Sequence, residues 1–567
     1  MRSALLCTVI LLTATLVAGP ARPAEPEYYD EMWDGNQLRE HYQLAPPPPS
    51  KGGILNFWRK PYQAATFPLA PVPRIVPAAD SDLLRRGLLQ RAETLRRLLR
   101  EIHGGTTEYL KVIPRATMQR ALARTHSAAW VGKLNPRYIA FSYGADTLRK
   151  PNGEHVVSED NLGPIGGPGL IAQAQTALLG YRPELRRVMP EEIRPEAYYS
   201  ALTESLEHFC KGPGRIVVLI PDEDPEYDYF AAELAKRGTI TIRHRDAARL
   251  RVTEEGLWVK DPAGHEEPVA VVVPTEHLMH WDPGHPLLRT QLRESVVAIL
   301  AAGPTENGIG SGALTAHWTI KGKLEEAQRK NVPLNYEEIE KMLRSLSINA
   351  ISYWEDHAVP GLTEAILAGK VASTSIPGTD VAGDKEIHGY IDALTELYTG
   401  QKPLLAGVPS RSFALNSSGD LDSRFFEKAL SPEHLPKLVI KVADGGSGKM
   451  ADQTTVGVLV GPAAKPGEIS AMKENIRREP GRFIAQEYVS PSRIDGDIVD
   501  LRFPMMVLPD QIVTSPIPIT RGSPYRGTGR MNLSGDGKVY ATFVESAAEA
   551  VRRCTRRGLS NWSHSRR

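Results

Sequence analysis

Residues 437–449 read KLVIKVADGGSGK. Leu438, Val439 and Ile440 form a short apolar run that ends on Lys441, and Asp444, Gly445, Gly446, Ser447 and Gly448 follow as a turn. A buried strand that delivers a cation to a glycine-rich loop is a way of holding phosphate. Glycines let backbone N–H groups come close to the anion, and the lysine adds a point charge. The stretch is not a P-loop. The first glycine of G-x-x-x-x-G-K-[ST] would fall at Ala443, and Met450 stands where Ser or Thr would ligate magnesium. Taken alone, the same residues also describe a hairpin loop with a surface lysine.

Two further stretches favour the phosphate reading. Residues 482–489, RFIAQEYV, give a second apolar strand closing on Gln486 and Glu487, and Asp500-Leu501-Arg502, Thr520-Arg521 and Asn532-Leu533-Ser534-Gly535 come after it. Much earlier, residues 138–161 read YIAFSYGADTLRKPNGEHVVSEDN. Strands are expected over 138–143 and 155–158 around a hairpin turn at Pro151-Asn152-Gly153. Asp146 then leaves the first strand, while Glu159, Asp160 and Asn161 close the second. Strand alternation places Glu159 and Asn161 on one face and turns Asp160 away. Two oxygen ligands side by side, with an aspartate across the hairpin, suit Mg²⁺, which takes hard oxygen donors and few protein ligands. Glu159 and Asn161, at a strand end beside a glycine-rich loop, are not expected to support the core.

The wording and order of these motifs resemble the circularly permuted ATP-grasp family: YDEM at 29–32, PRI at 73–75 with QR at 90–91, EDN, GDK at 383–385, IKVADGGSGK, IAQE, DLR, TR and NLS. The resemblance implies an α/β (α+β) circularly permuted ATP-grasp fold with an α/β pre-ATP-grasp-like sub-domain. Two antiparallel sheets would close on ATP. It implies Asp146, Glu159 and Asn161 as magnesium ligands. Lys441, Gly445, Gly446, Ser447 and Gly448 would meet the phosphates, with Arg502 and Arg521 as catalytic cations. Gln486, Glu487, Tyr488 and Val489 would belong to the strand that meets adenine. Lys385, expected at a helix N-terminus behind Asp384, could reach a phosphate. The metal residues precede the lysine strand in this chain, which is what permutation means. One of Arg74, Gln90 and Arg91 is a possible holder of an acidic substrate. Two places depart from the family pattern. Residues 163–169, GPIGGPG, stand where an arginine and Pro-Ser-Gly are usual, and His277 and His280 stand near the usual arginine pair.

The rest of the chain is less specific. Its 567 residues suffice for two or three domains, and 68 basic against 67 acidic residues give a net charge of +1, with no field that favours nucleic acid. Cys7, Cys210 and Cys554 form no metal or disulfide pattern and are read as free thiols. The expected layout is a signal-peptide-like segment at 1–24, an N-terminal arm and helical segment at 25–135 and the metal-binding hairpin at 136–170. An α/β sub-domain at 171–300, a connecting helical region at 301–420, nucleotide-clamping strands at 421–550 and a basic tail at 551–567 follow. Within 78–104, Ser81 or Asp82 is expected to cap a helix whose leucines recur at helical spacing opposite a solvated arginine face. The apolar run from Ala4 to Gly19 has the form of a secretory signal, too short for a stable membrane span, whereas use of ATP argues for the cytoplasm. The functional expectation is an ATP- and Mg²⁺-dependent ligase that joins a small-molecule or peptide carboxylate to an amine and releases ADP. The alternative is a catalytically silent relative that binds a nucleotide or a protein.

Overall fold

In the computed structural model, the lysine stretch and the carboxylate hairpin belong to two different sheets. The structure describes residues 30–32, 56–59, 66–125, 127–188, 194–210, 212–222, 224–278, 281–282, 358–444, 457–524, 529–531 and 537–546. The smaller sheet is antiparallel, in the order Ser410–Ser412, Phe483–Glu487, Leu438–Val442 and Val458–Val460. The larger runs Ala406–Gly407, His155–Leu162, Phe141–Arg149, Asp497–Arg502, Ile519–Pro524 and Lys538–Tyr540, with three short strands attached beside this path. Its centre joins segments far apart in the chain: Phe141–Arg149 pairs antiparallel with Asp497–Arg502, and Asp146 stands opposite Arg502. A circular permutation produces this order.

The hairpin is longer than its apolar pattern announced. Its strands are Phe141–Arg149 and His155–Leu162, so Asp146, Glu159 and Asn161 lie inside strands and not at their exits. The ladder continues through polar residues because each strand has a partner on its other side, which fixes register where local propensity does not. The expected turn is present. Gly153 has φ +88°, and the Lys150 N–H meets the Glu154 carbonyl at 2.8 Å. One irregularity matters for the site. Asp146 faces Glu159 and Thr147 faces Val157, so Ser158 is the extra residue of a β-bulge.

Helix Ala78–Gly104 covers the face of the larger sheet away from the smaller one, with Leu84, Leu88, Ala92, Leu95, Leu98 and Leu99 fully buried in the same core as Tyr143, Ala145, Val157 and Leu501. It begins before the expected cap, with Pro77 in the capping position. Its arginine face is also not uniformly solvated, since Arg91 and Arg96 are buried.

The sub-domain sheet runs Ile240–Arg243, Arg215–Ile220, Glu266–Pro274, Leu257–Lys260 and Leu250–Val252. The apolar runs at 216–220, 240–243 and 269–273, which read as strands, form strands there, while the short strands carry no such run. Within the connecting region the sequence reads as a helix ending on Val371 and Ala372, and the structure ends none there. Helix Leu362–Leu367 stops earlier, and Ala372–Ser373 is a strand pairing parallel with Val271 and Val272. A two-residue strand carries no periodicity, so its tertiary partner decides it.

The GPIGGPG run has a structural explanation. Helix Pro168–Tyr181 starts after Gly167 (φ +133°), whose N–H donates to the Glu226 carboxylate. A Cβ at Gly169 would lie 2.1 Å from the Glu226 carbonyl oxygen of helix Pro225–Ala235. The glycine therefore sets the approach of two helices. Gly169→Ala is expected to destabilise the protein by about 1–3 kcal/mol through this overlap, although alanine is the better helix former. A denaturation midpoint equal to the wild type's would show that the helices have room.

Candidate functional site

The two sheets face each other across a cavity of about 230 Å³. Strand alternation supplies its walls: Ile498, Asp500 and Arg502 from one strand, Val439 and Lys441 from another, and Glu159 with Asn161 from a third. Asp146, Lys385, Gln486, Glu487, Tyr488, Val489 and Arg521 line it too. Every expected site residue within the described part of the chain is thus brought together. Gly445, Gly446, Ser447, Gly448 and the Asn532–Gly535 motif lie outside the described residues.

One end of the cavity is charged. Asp146 receives the Arg502 guanidinium at 2.7 and 3.1 Å and that of Arg521 at 2.9 Å, and Arg521 also pairs with Asp500. Glu159 pairs with the Lys385 ammonium at 2.9 Å. The bulge turns the Ser158 carbonyl towards the smaller sheet, where it accepts from Lys441 Nζ at 3.3 Å and Gln486 Nε2 at 3.0 Å. Burial alone would raise the pKa of Asp146 and Glu159, but the facing cations hold both below the ordinary carboxylate values. Burial pushes Lys441 below its ordinary value, opposed by Glu159 and Asp146. Asp500 is pushed up by burial. The other end is apolar, formed by Leu148 and Val408 with Val489 and Met531. An apolar slot leading to a cationic pocket matches a flat base joined to phosphates.

On the strand expected to meet adenine, two backbone donors are already engaged. The Glu487 N–H donates to the Pro409 carbonyl at 2.9 Å and the Tyr488 N–H to the Lys437 carbonyl at 2.8 Å. None of Arg74, Gln90 and Arg91, one of which was expected to hold an acidic substrate, lines this cavity. Arg74 is buried on Glu31 and the Asp500 carbonyl, and Arg91 on Asp160 and Asp392. Gln90 binds the backbone of Lys402 and Leu404. Asp500, Ser158, Arg530 and Met531 were missed as lining residues. Alternation from Arg502 could have found Asp500, while no local signal marks a bulge or a loop that returns from beyond residue 524. Near the other departure, Glu276 binds His244 and Trp281, and Asp282 holds the Thr363 N–H at 2.8 Å. His280 lies outside the described residues.

Among the described residues no three His, Cys, Asp or Glu side chains form a closed metal cage. Mg²⁺ does not require one, since it is bound through one or two carboxylates together with substrate phosphates. Asp146 and Glu159 are direct cross-strand partners, and Asn161 lies on the same face with its Nδ2 donating to the Gly144 carbonyl at 3.1 Å. The amide oxygen is then the end that can accept, and this hard-oxygen set fits the ion.

Two such sheets closing on an amphipathic cavity define the ATP-grasp class. The chain belongs to the circularly permuted ATP-grasp type 2 family, whose pattern residues 73–284 and 336–510 match, more than half of the chain. An uncharacterized protein of Synechocystis sp. is 34% identical over 194 residues, 33% of this chain and 37% of its own. A Frankia alni protein that bears the name "Putative glutamate--cysteine ligase 2-3" is 24% identical over 489 residues, 84% of this chain and 47% of its own. The chain spans less than half the length of these two relatives. An uncharacterized Mycobacterium tuberculosis protein is 26% identical over 494 residues, 85% of this chain and 74% of its own. The solved structure of a glutathione synthetase-like effector from Globodera pallida overlays 87% of this chain and 100% of that one, with a TM-score of 0.43 and 9% identity, and carries no argument at that score. No helix among the described residues is long and apolar enough to cross a membrane.

Two predictions follow from the charged end. A Cβ at Gly144 would lie 2.9 Å from Arg502 Cδ and 2.8 Å from Ile165 Cδ1. Gly144→Ala should therefore lift Arg502 off Asp146 and weaken binding of ATP with Mg²⁺ by about tenfold, the worth of one charge-assisted hydrogen bond. Calorimetric titration with unchanged affinity would place Arg502 outside the binding interaction. The second concerns acid. Asp146, Glu159 and Asp160 are depressed in the folded state, so their stabilisation is present above the ordinary carboxylate range and is lost as pH falls through it. Thermal melts should show the midpoint dropping steeply below about pH 4, and a flat profile there would contradict the pairing.

Proposed function

We propose that this protein is an ATP- and Mg²⁺-dependent ligase that joins a carboxylate to an amine through an acylphosphate and releases ADP. The observation that carries the reading is the grouping of four cations, Lys385, Lys441, Arg502 and Arg521, against Asp146 and Glu159 beside an apolar slot. Family membership and the ligase name of the Frankia relative support a carboxylate–amine ligase at that coarse level. In the proposed sequence a substrate carboxylate oxygen takes the γ-phosphoryl group and ADP leaves. The amine nitrogen then attacks the acyl carbon, inorganic phosphate departs with the C–O bond electrons, and the surplus amine proton passes to solvent.

Phosphoryl transfer asks a protein mainly for positioning and charge neutralisation. Lys441 and Lys385 offer point charges at the charged end of the cavity. Arg502 and Arg521 offer planar forks suited to two oxygens at once. Bound Mg²⁺, held by Asp146, Glu159 and Asn161, would supply neutralisation of the phosphate charge. The apolar end, with Val489 and the Glu487 side chain, would take the base.

The test has two arms. ATP with Mg²⁺ should raise the melting temperature of the wild type, because a ligand that binds the folded state alone stabilises it. Lys441→Ala should lose most of that shift. ADP release is then measured against a mixed pool of amino acids, polyamines and short peptides. Glu159→Gln, which keeps the shape of a side chain mostly buried on Lys385, should lower turnover by orders of magnitude. ATP binding without ADP release from any mixture would return the silent nucleotide-binding relative as the better reading. Full turnover in Glu159→Gln would move the metal site elsewhere.

A further inference from the structure

Residues 383–388 touch both walls of the cavity at once. The Lys385 N–H donates to the Ala443 carbonyl at 2.9 Å, one residue past strand Leu438–Val442 and at the root of the glycine stretch. The Lys385 side chain pairs with Glu159. One turn later His388 Nδ1 meets Asp160 Oδ2 at 2.7 Å. Glu159 and Asp160 are successive strand residues that point to opposite faces, so a single turn grips the strand from both sides. It reaches them across the strand edge. Ala406–Gly407 pairs there with Val156 and Val157, and Gly383 covers the next stretch, where a Cβ would lie 3.3 Å from the Leu162 nitrogen and 3.5 Å from the Asp160 carbonyl.

The turn is itself fixed. Asp384 accepts from the Glu386 N–H at 2.9 Å and binds Arg124, and Glu386 pairs with Arg120 and Arg124. Asp160 is anchored below by Arg91 at 2.7 and 3.1 Å and by the Tyr143 hydroxyl at 2.6 Å. Asp160 and His388 are 2% and 3% exposed, and neither lines the cavity. A slip of one residue in this strand would turn Glu159 and Asn161 away from the cavity and bring Asp160 into it.

We infer that Asp160 and His388 are positioning residues that hold Glu159 and Asn161 towards the cavity, through the same turn that ties Lys385 to Ala443. The aim of the metal-facing oxygens then depends on this one turn. The inference rests on the ATP- and Mg²⁺-binding reading above.

The experiment is calorimetric titration of the full chain with ATP, with and without MgCl₂. His388→Leu removes the hydrogen bond, His388→Asn keeps a donor near the place of Nδ1, and Asp160→Asn keeps shape while removing charge. The gain in ATP affinity that Mg²⁺ confers should fall roughly tenfold or more in His388→Leu and Asp160→Asn, with the Mg²⁺-free affinity changed by less than about twofold. His388→Asn should recover most of the gain. A folded variant that keeps the full gain overturns the inference, as does an equal fall in both affinities, which is general loosening. If His388→Leu does not fold, Asp160→Asn and His388→Asn decide. Failure of all three to fold overturns the inference as well, by making the pair part of the core. A wild type that binds no ATP sinks the nucleotide reading together with this inference. One that binds ATP with no Mg²⁺ gain sinks the metal assignment and this inference, whereas variants that keep a gain seen in the wild type sink this inference alone.

Discussion

The carbonyl of Ser158 is where the two sheets meet. In a regular ladder it would be spent on the neighbouring strand, but the bulge between Asp146 and Thr147 leaves Ser158 without a cross-strand partner. Its carbonyl then accepts from Lys441 and Gln486 of the opposite sheet. A buried acceptor must be satisfied, and a buried ammonium needs oxygen around it. Each requirement answers the other. The bulge also resets the face of the strand, so that Glu159 and Asn161 point into the cavity while, before it, Val157 faces the core and Val156 joins the apolar end with Leu148. Without that extra residue the carboxylates and the lysine would not share a space.

The charge arrangement follows from burial. Asp146, Glu159 and Asp500 line the charged end together with Lys385, Lys441, Arg502 and Arg521, and an isolated charge in such a place would be costly. None is isolated. Asp146 sits between two guanidiniums, Arg521 between two carboxylates, and Glu159 against an ammonium. The arginines and lysines are not interchangeable in this scheme. A guanidinium can hold a carboxylate through two nitrogens, as Arg502 does with Asp146, whereas the lysines stand as point charges that can turn to a different partner. The site is therefore charged, nearly balanced, and open to exchange of partners between carboxylates and an incoming polyanion.

What could be read from the sequence was the chemistry at short range. Lys441, the Glu159–Asn161 pair, Gln486 and Glu487 all stood on strands whose alternation or apolar character was visible, and the structure puts them around one cavity. What could not be read depends on contacts between distant segments. Arg91 looked like a member of a solvated helix face because its partners, Asp160 and Asp392, are 69 and 301 residues away. The strand at Ala372–Ser373 and the extension of the hairpin past Tyr143 exist through pairing partners, not propensity. The run at 163–169 departs from the family pattern, and for Gly169 the reason is the closeness of two helices.

Permutation is tolerated because the hairpin is nearly a unit of its own. Phe141–Arg149 and His155–Leu162 are joined by a five-residue turn and carry all three oxygen donors between them. Among its outside partners, Asp497–Arg502 brings the counter-charge for Asp146 in the same register position. A sheet is indifferent to the order in which its strands occur in the chain, provided the connections can be made. The lysine strand and the carboxylate hairpin can then exchange places in sequence without exchanging places in space. The constraint that remains is the one at Ser158, since a hairpin moved without its bulge would bring the right residues and aim them at the wrong face.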